Sequence, residues 1–310
     1  MRKILHGLLL SMALLAGCAR SPHSAKPLNG TTNDTATPTS PSGERCSAWV
    51  ASALYEPEPS TCSGDIRRAL DQIGFDAPGS LDLSSGRRAL VWFPDDWADR
   101  TQRTVLTLLH GSAGCPEAMF ADARWAFGDA HALVSLGHKL PSGGFLDELS
   151  IHADLNETLT ALSAPCPTAD ATHLLYGLSR GGYRAIQLGG LDQEGDARFA
   201  AVVSDSGSVP TSVLSGPSYR GARVLLWCGE YDPDPVQDGR TTCDVMGSDM
   251  VPYLERGGAS AELIVGERAC HGMYGWDCAA DCSQCAGRTG HREVGPHASA
   301  VAAWLQDQAQ

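Results

Sequence analysis

An α/β fold with a doubly wound, mainly parallel sheet is predicted by two features of the sequence: short apolar runs recur along it, and helix-compatible segments separate most of them. The runs fall at 89–93, 105–109, 132–136, 173–176, 199–203, 224–227 and 261–265, each bounded by turn residues. None alternates cleanly between polar and apolar residues, as expected of strands buried on both faces. Segments 117–129, 146–162, 181–191 and 246–256 have helical character, and a last one follows at 296–308. Helices between strands supply right-handed crossovers, and ligands then bind at the carboxyl ends of the strands. The residues just after each run are therefore the ones to inspect. Segment 204–223 is too short to hold a large lid.

Ahead of this pattern the sequence has a different character. Arg2 and Lys3 precede an apolar stretch at 4–16, too short for a membrane span of about 20 residues but suited to a secretory signal. It ends in Leu15-Ala16-Gly17-Cys18, which resembles the lipobox of bacterial lipoproteins, in which cleavage leaves a lipid on the cysteine. Ordinary secretion with Cys18 as a passenger is the alternative. The resemblance implies a bacterial cell-envelope protein, and Ala19 in place of Asp leans toward the outer membrane. Residues 19–45 are rich in Ser, Thr, Pro, Asn and Gly and read as a solvated tether. The expected organisation is a signal peptide at 1–17, Cys18 and tether at 18–45, a small disulfide-stapled extension at 46–84 with a helix near 66–73, and the main domain at 85–310.

The chain carries 36 acidic and 23 basic side chains, a net charge of −13, which argues against nucleic-acid binding because phosphate contacts need clustered Lys and Arg. Four strand ends carry candidate chemistry. After 173–176 comes Gly177-Leu178-Ser179-Arg180-Gly181, a G-x-S-x-G match between strand and helix. There a strained turn would project the Ser179 hydroxyl, and Gly177 and Gly181 would avoid clashes. After 105–109 comes His110-Gly111-Ser112-Ala113-Gly114, whose backbone N–H groups suit an oxyanion. The run 224–227 leads to Glu230, Asp232 and Asp234, carboxylates placed to orient an imidazole, and the run 261–265 leads to His271. The order serine, acid, histidine is one of the known orders of a nucleophilic triad.

On "RRALVWFP", "TVLTLLHGSAG", "LLYGLSRGGYRA" and "LLWCGEYDP" the chain resembles α/β-hydrolase-fold enzymes, in detail secreted esterases related to feruloyl esterases and polyhydroxyalkanoate depolymerases. The resemblance spans roughly 85–308 and implies a serine esterase: Ser179 as nucleophile, Asp232 as acid, His271 as base, and the backbone N–H groups of Ser112 and Arg180 as oxyanion hole. Asp234 is the alternative acid, and His291 and His297 compete with His271. No cofactor or metal is required, and the expected partners are a small-molecule or polymeric ester and, through the lipid on Cys18, a membrane. Two other readings stay open: a serine peptidase of the prolyl-oligopeptidase type, and an inactive surface-binding protein on the same scaffold.

Eleven cysteines are many for a reducing compartment. With Cys18 set apart, sequence proximity favours Cys46–Cys62 and Cys228–Cys243, and Cys115–Cys166 would tie the 110–114 loop to the segment just before the nucleophile strand. Cys270, Cys278, Cys282 and Cys285 read as two disulfides or, by their spacing, as a zinc site.

Overall fold

A computed structural model describes Cys46 and residues 78–308, except 113, 141–143, 167, 195–197, 211–217, 235–236, 238 and 271–295. Strands β1 (Gly79–Asp82), β2 (Arg88–Trp92), β3 (Thr104–Leu109), β4 (Ala132–Leu136), β5 (Thr172–Leu178), β6 (Phe199–Asp205), β7 (Arg223–Gly229) and β8 (Ser260–Gly266) form one sheet. Their order is β1-β2-β4-β3-β5-β6-β7-β8. The pairs β1–β2 and β2–β4 are antiparallel, and every other neighbour pair is parallel. The crossovers are helices α1 (Pro116–Phe127), α2 (Glu148–Ser163) and α3 (Arg180–Glu194), then α4 (Thr242–Val245) and α5 (Val251–Arg256), with α6 (Pro296–Asp307) last.

The strands are apolar throughout because both faces are covered. Val105 and Leu109 of β3 join Leu155 of α2, Ile186 of α3 and Leu254 of α5 on one face. Leu106 and Leu108 join Phe120 of α1 and Val301 of α6 on the other. Adjacent residues of β3 thus serve opposite cores, and each leucine so buried is worth about 1.5–3 kcal/mol. This is the doubly wound arrangement that the uninterrupted apolar runs predict. Only residues 206–222 separate β6 from β7, so the fold carries no large lid there.

Three expectations change. Gly79–Asp82, assigned by sequence to the extension, supplies the outermost strand of the sheet. The segment expected as one helix at 246–256 begins earlier, at α4, where Thr241 and Asp244 form a reciprocal cap. It then passes through a π-helical turn at Met246–Met250 before α5, whose first turn contains Pro252; a proline there lacks the N–H that a regular helix would use. Finally, Cys46 bonds Cys166, 120 residues away, which replaces the expected Cys46–Cys62 and Cys115–Cys166 pairs. Both sulfurs lie in the packed interior, where three-dimensional proximity rather than chain proximity decides pairing. Cys228–Cys243 forms as expected, and Cys115 and Cys270 are disulfide-bonded as well. The signal segment, Cys18, the tether, the helix near 66–73, Cys62, Cys278, Cys282 and Cys285 lie outside the described residues.

Candidate active site

Ser179 stands between β5 and α3 with φ at 55°, a left-handed conformation that a non-glycine residue adopts at a cost of about 1–3 kcal/mol. The surroundings hold it there. Its N–H donates to the Asp205 carbonyl at 2.7 Å, and its carbonyl accepts from the Tyr183 N–H at 3.0 Å. The flanking glycines are required by contact: a Cβ on Gly177 would meet the Gly181 carbonyl oxygen at 2.2 Å, and one on Gly181 would meet that of Leu109 at 2.1 Å. The strand, the turn and the helix are therefore pressed together in a way only glycine allows, and the end of β3 is drawn in beside them.

That contact carries the His110-Gly111-Ser112 loop to the serine. A Cβ on Gly111 would stand 3.2 Å from the Ser179 Cβ and 3.8 Å from its Oγ. Two imidazoles fix the peptide planes of this loop. His110 Nδ1 lies 2.8 Å from the Gly111 carbonyl oxygen, and His138 Nε2 lies 2.8 Å from the His110 carbonyl oxygen. A carbonyl only accepts, so these two ring nitrogens carry the protons. His110 Nε2 is then left to accept the His138 N–H at 3.5 Å, and the rings lie 4.3 Å apart. In a trans peptide the N–H points opposite to the C=O. Holding the carbonyls of His110 and Gly111 against the imidazoles thus turns the N–H groups of Gly111 and Ser112 the other way.

Both histidines stay neutral. Burial, with a smaller contribution from Lys139 and against the hydrogen bond to Gly111, lowers the His110 pKa to about 4. Burial, then the adjacent His110, then Arg184 and Arg180 lower that of His138 to about 3, against the hydrogen bond to His110. His138 was missed by sequence reasoning, since β4 leads to none of the expected triad residues; the one signal was a histidine two residues after a strand.

The carboxylates are placed by the end of β7. A Cβ on Gly229 would stand 1.8 Å from the Cys270 carbonyl oxygen, so the chain leading into His271 abuts β7 here. The two loops are stitched together: Glu230 N–H donates to Gly266 O at 2.9 Å, Tyr231 N–H to Ala269 O at 2.9 Å, and Arg268 N–H to Glu230 Oε2 at 2.9 Å. Asp232 is 2% exposed and Asp234 9%. Asp232 is held through its backbone, N–H to Gly229 O at 3.1 Å and C=O from Thr242 N–H at 2.8 Å. Asp234 turns its Oδ1 into its own loop, accepting the Gln237 N–H at 2.6 Å. The Cys228–Cys243 bond closes this loop onto the strand.

The structure thus brings together Ser179, the 110–112 loop and the start of α3 with Arg180. Asp232 and Asp234 lie after β7, two strands from β5, or about 10 Å at the usual spacing. His271 and His291 lie outside the described residues, and His297 falls in α6. Among the described residues no group of histidine, cysteine, aspartate and glutamate is arranged to hold a metal ion. Asp205, whose carbonyl anchors Ser179, also accepts the Tyr176 hydroxyl on its carboxylate at 2.5 Å, a buried role that no motif announces.

No family model and no curated protein sequence matches the chain. Solved structures do. A dienelactone hydrolase from Anabaena variabilis superposes with a TM-score of 0.51 at 17% identity, covering 74% of this chain and 96% of that one. A Pyrobaculum calidifontis esterase gives 0.53 at 14% identity, covering 79% of this chain and 90% of that one. A Rhizomucor miehei esterase gives 0.52 at 14% identity, covering 89% and 99%. With its strand order, its antiparallel β2 and these likenesses, the chain has the α/β-hydrolase fold.

Proposed function

We propose that the protein is a serine hydrolase of carboxylic esters, with Ser179 as nucleophile, His271 as general base and Asp232 as the acid that orients it. The observation that supports this most is the strained left-handed Ser179 between glycines that admit no side chain, facing a loop with oriented N–H groups. A serine hydroxyl is a weak nucleophile at neutral pH, so His271 takes its proton as Oγ attacks the ester carbonyl. The oxyanion forms opposite the N–H groups of Ser112 and Arg180, each worth about 3–4 kcal/mol in such sites. The alkoxide leaves with the proton from His271. Water, deprotonated by the same imidazole, then cleaves the acyl-enzyme to release the acid. Asp232 is preferred to Asp234 because it is the position that the resemblance implies and the more deeply buried of the two.

The esterases among the fold's neighbours favour esters over peptides. The absence of a large lid between β6 and β7 favours an open site suited to bulky or polymeric esters. The lipobox-like Leu15-Ala16-Gly17-Cys18 supports attachment to a bacterial envelope membrane through Cys18. The test is a panel of short-chain, aryl and polymer-bound esters and peptide amides on the full chain and on Ser179→Ala. Ester turnover lost in the variant is expected; amide turnover without ester turnover would overturn the assignment.

A further inference from the structure

The residue after Ser179, Arg180, carries a cation that no carboxylate among the described residues neutralises and that acts electrostatically on His138. The Arg180 guanidinium carbon stands 4.6 Å from the centre of the Tyr183 ring and 5.5 Å from that of Phe145. Its Nε is buried and has no hydrogen-bond partner, and no ion pair reaches the guanidinium among the described residues. Arg184, on the other side of the Tyr183 ring at 5.3 Å, behaves differently: it is paired with Glu148 at 2.9 Å and bonded to Gln187 at 2.7 Å. One arginine of the two is thus neutralised by the described residues and one is not.

The surroundings make this unusual. The chain as a whole is strongly acidic, with a net charge of −13, so an unpaired arginine is not explained by a shortage of carboxylates. Guanidinium is the side chain best shaped for bidentate carboxylate recognition, and a half-buried site strengthens the attraction over that in water. Rings on two sides restrict the side chain, so less freedom is lost when an anion binds. A second cation, Lys139, lies close enough to affect His110, on the strand end that leads into the Phe145 segment.

We infer that Arg180 makes the site selective for esters that carry a carboxylate near the scissile bond, the guanidinium binding that carboxylate while Ser179 attacks the ester carbonyl. This rests on the reading of Ser179 as nucleophile. It assigns the Arg180 side chain a role separate from that of its backbone N–H.

The test compares matched ester pairs on the full chain: para-nitrophenyl valerate with the glutarate hemiester, which places a carboxylate on the acyl side, and phenyl acetate with para-acetoxybenzoate, which places it on the alcohol side. The wild type is expected to favour the anionic member of at least one pair by about tenfold or more in kcat/KM, chiefly through KM, with the preference weakening as salt is added. Arg180→Gln is expected to erase that ratio, Arg180→Glu to invert it and Arg180→Lys to retain part of it. Ser179-dependent turnover with no anionic preference in either pair, or a preference that Arg180→Gln leaves intact, overturns the role of Arg180 and leaves the nucleophile standing. Turnover of neither pair, or turnover that survives Ser179→Ala, overturns the nucleophile and the inference with it.

Discussion

At the scale of single residues, the unexpected feature is the imidazole pair of His110 and His138. Both are buried, and each ring donates a hydrogen bond to a carbonyl of the loop facing Ser179. His138 acts on that loop through His110 and is a positioning residue. Replacing it by Phe keeps the ring volume but frees the His110 carbonyl. In His138→Phe, kcat on a neutral ester should fall about ten- to a hundredfold, less than the loss of a whole oxyanion donor, with KM changed little. Steady-state kinetics check this, and an unchanged kcat in a folded variant would remove the loop-positioning role.

These two histidines and His131, buried just before β4, set a pH dependence of stability. An unfolded imidazole titrates near 6.5, whereas burial lowers His110 and His131 to about 4 and His138 to about 3. Between these limits the three imidazoles bind more protons unfolded than folded, and the Asp122 carboxyl, raised by burial to about 7, offsets one of the three, which leaves a net contribution that rises with pH. It should be fully present above about pH 6.5 and decline as pH falls toward 4. Urea unfolding at intervals from pH 4 to 7 measures the slope, and His138→Phe should make it shallower.

At the scale of elements, most of the fold was legible because a buried parallel strand has a plain signature, an apolar run followed by a turn. Seven runs located seven strands to within two residues at each end. Strand β1 was missed because Gly79-Ser80-Leu81-Asp82 is short and mostly polar, as an edge strand with a partly exposed pattern tends to be. The Ser179 elbow was legible because its glycines are dictated by atoms a few ångströms away. The disulfide Cys46–Cys166 was not, because nothing in spacing reveals a bond that depends on the finished fold. The covalent links also divide by role. Cys228–Cys243 closes the loop that holds Asp232, and Cys270 precedes His271, so reductant should reach activity through these loops. Mild reduction should lower ester turnover at concentrations that leave the unfolding transition in place; loss of both together would show that the bonds only hold the fold. Removing Cys46–Cys166 should instead cost global stability, by about 3–5 kcal/mol for a loop this long.

At the scale of the whole molecule, we propose that residues 1–17 are a leader and 18–45 a lipid-bearing, solvated tether ahead of the α/β-hydrolase-fold domain. An acyl group contributes roughly 0.8 kcal/mol per buried CH₂, so lipid on Cys18 would hold the domain at a membrane without any spanning helix. Cys18→Ser in a bacterial host should move the protein from the membrane fraction to the soluble fraction, as fractionation and immunoblotting would show. Retention of the variant in membranes would contradict the anchor. Turnover of esters should survive that substitution.

Covalent labelling of the full chain by a serine-directed fluorophosphonate asks whether Ser179 is an activated nucleophile. Mass spectrometry should find one adduct per folded molecule, located on the peptide containing Ser179, absent from Ser179→Ala and strongly slowed in His271→Ala. A folded wild type that fails to react, or an adduct that persists in Ser179→Ala, would rule Ser179 out as the nucleophile.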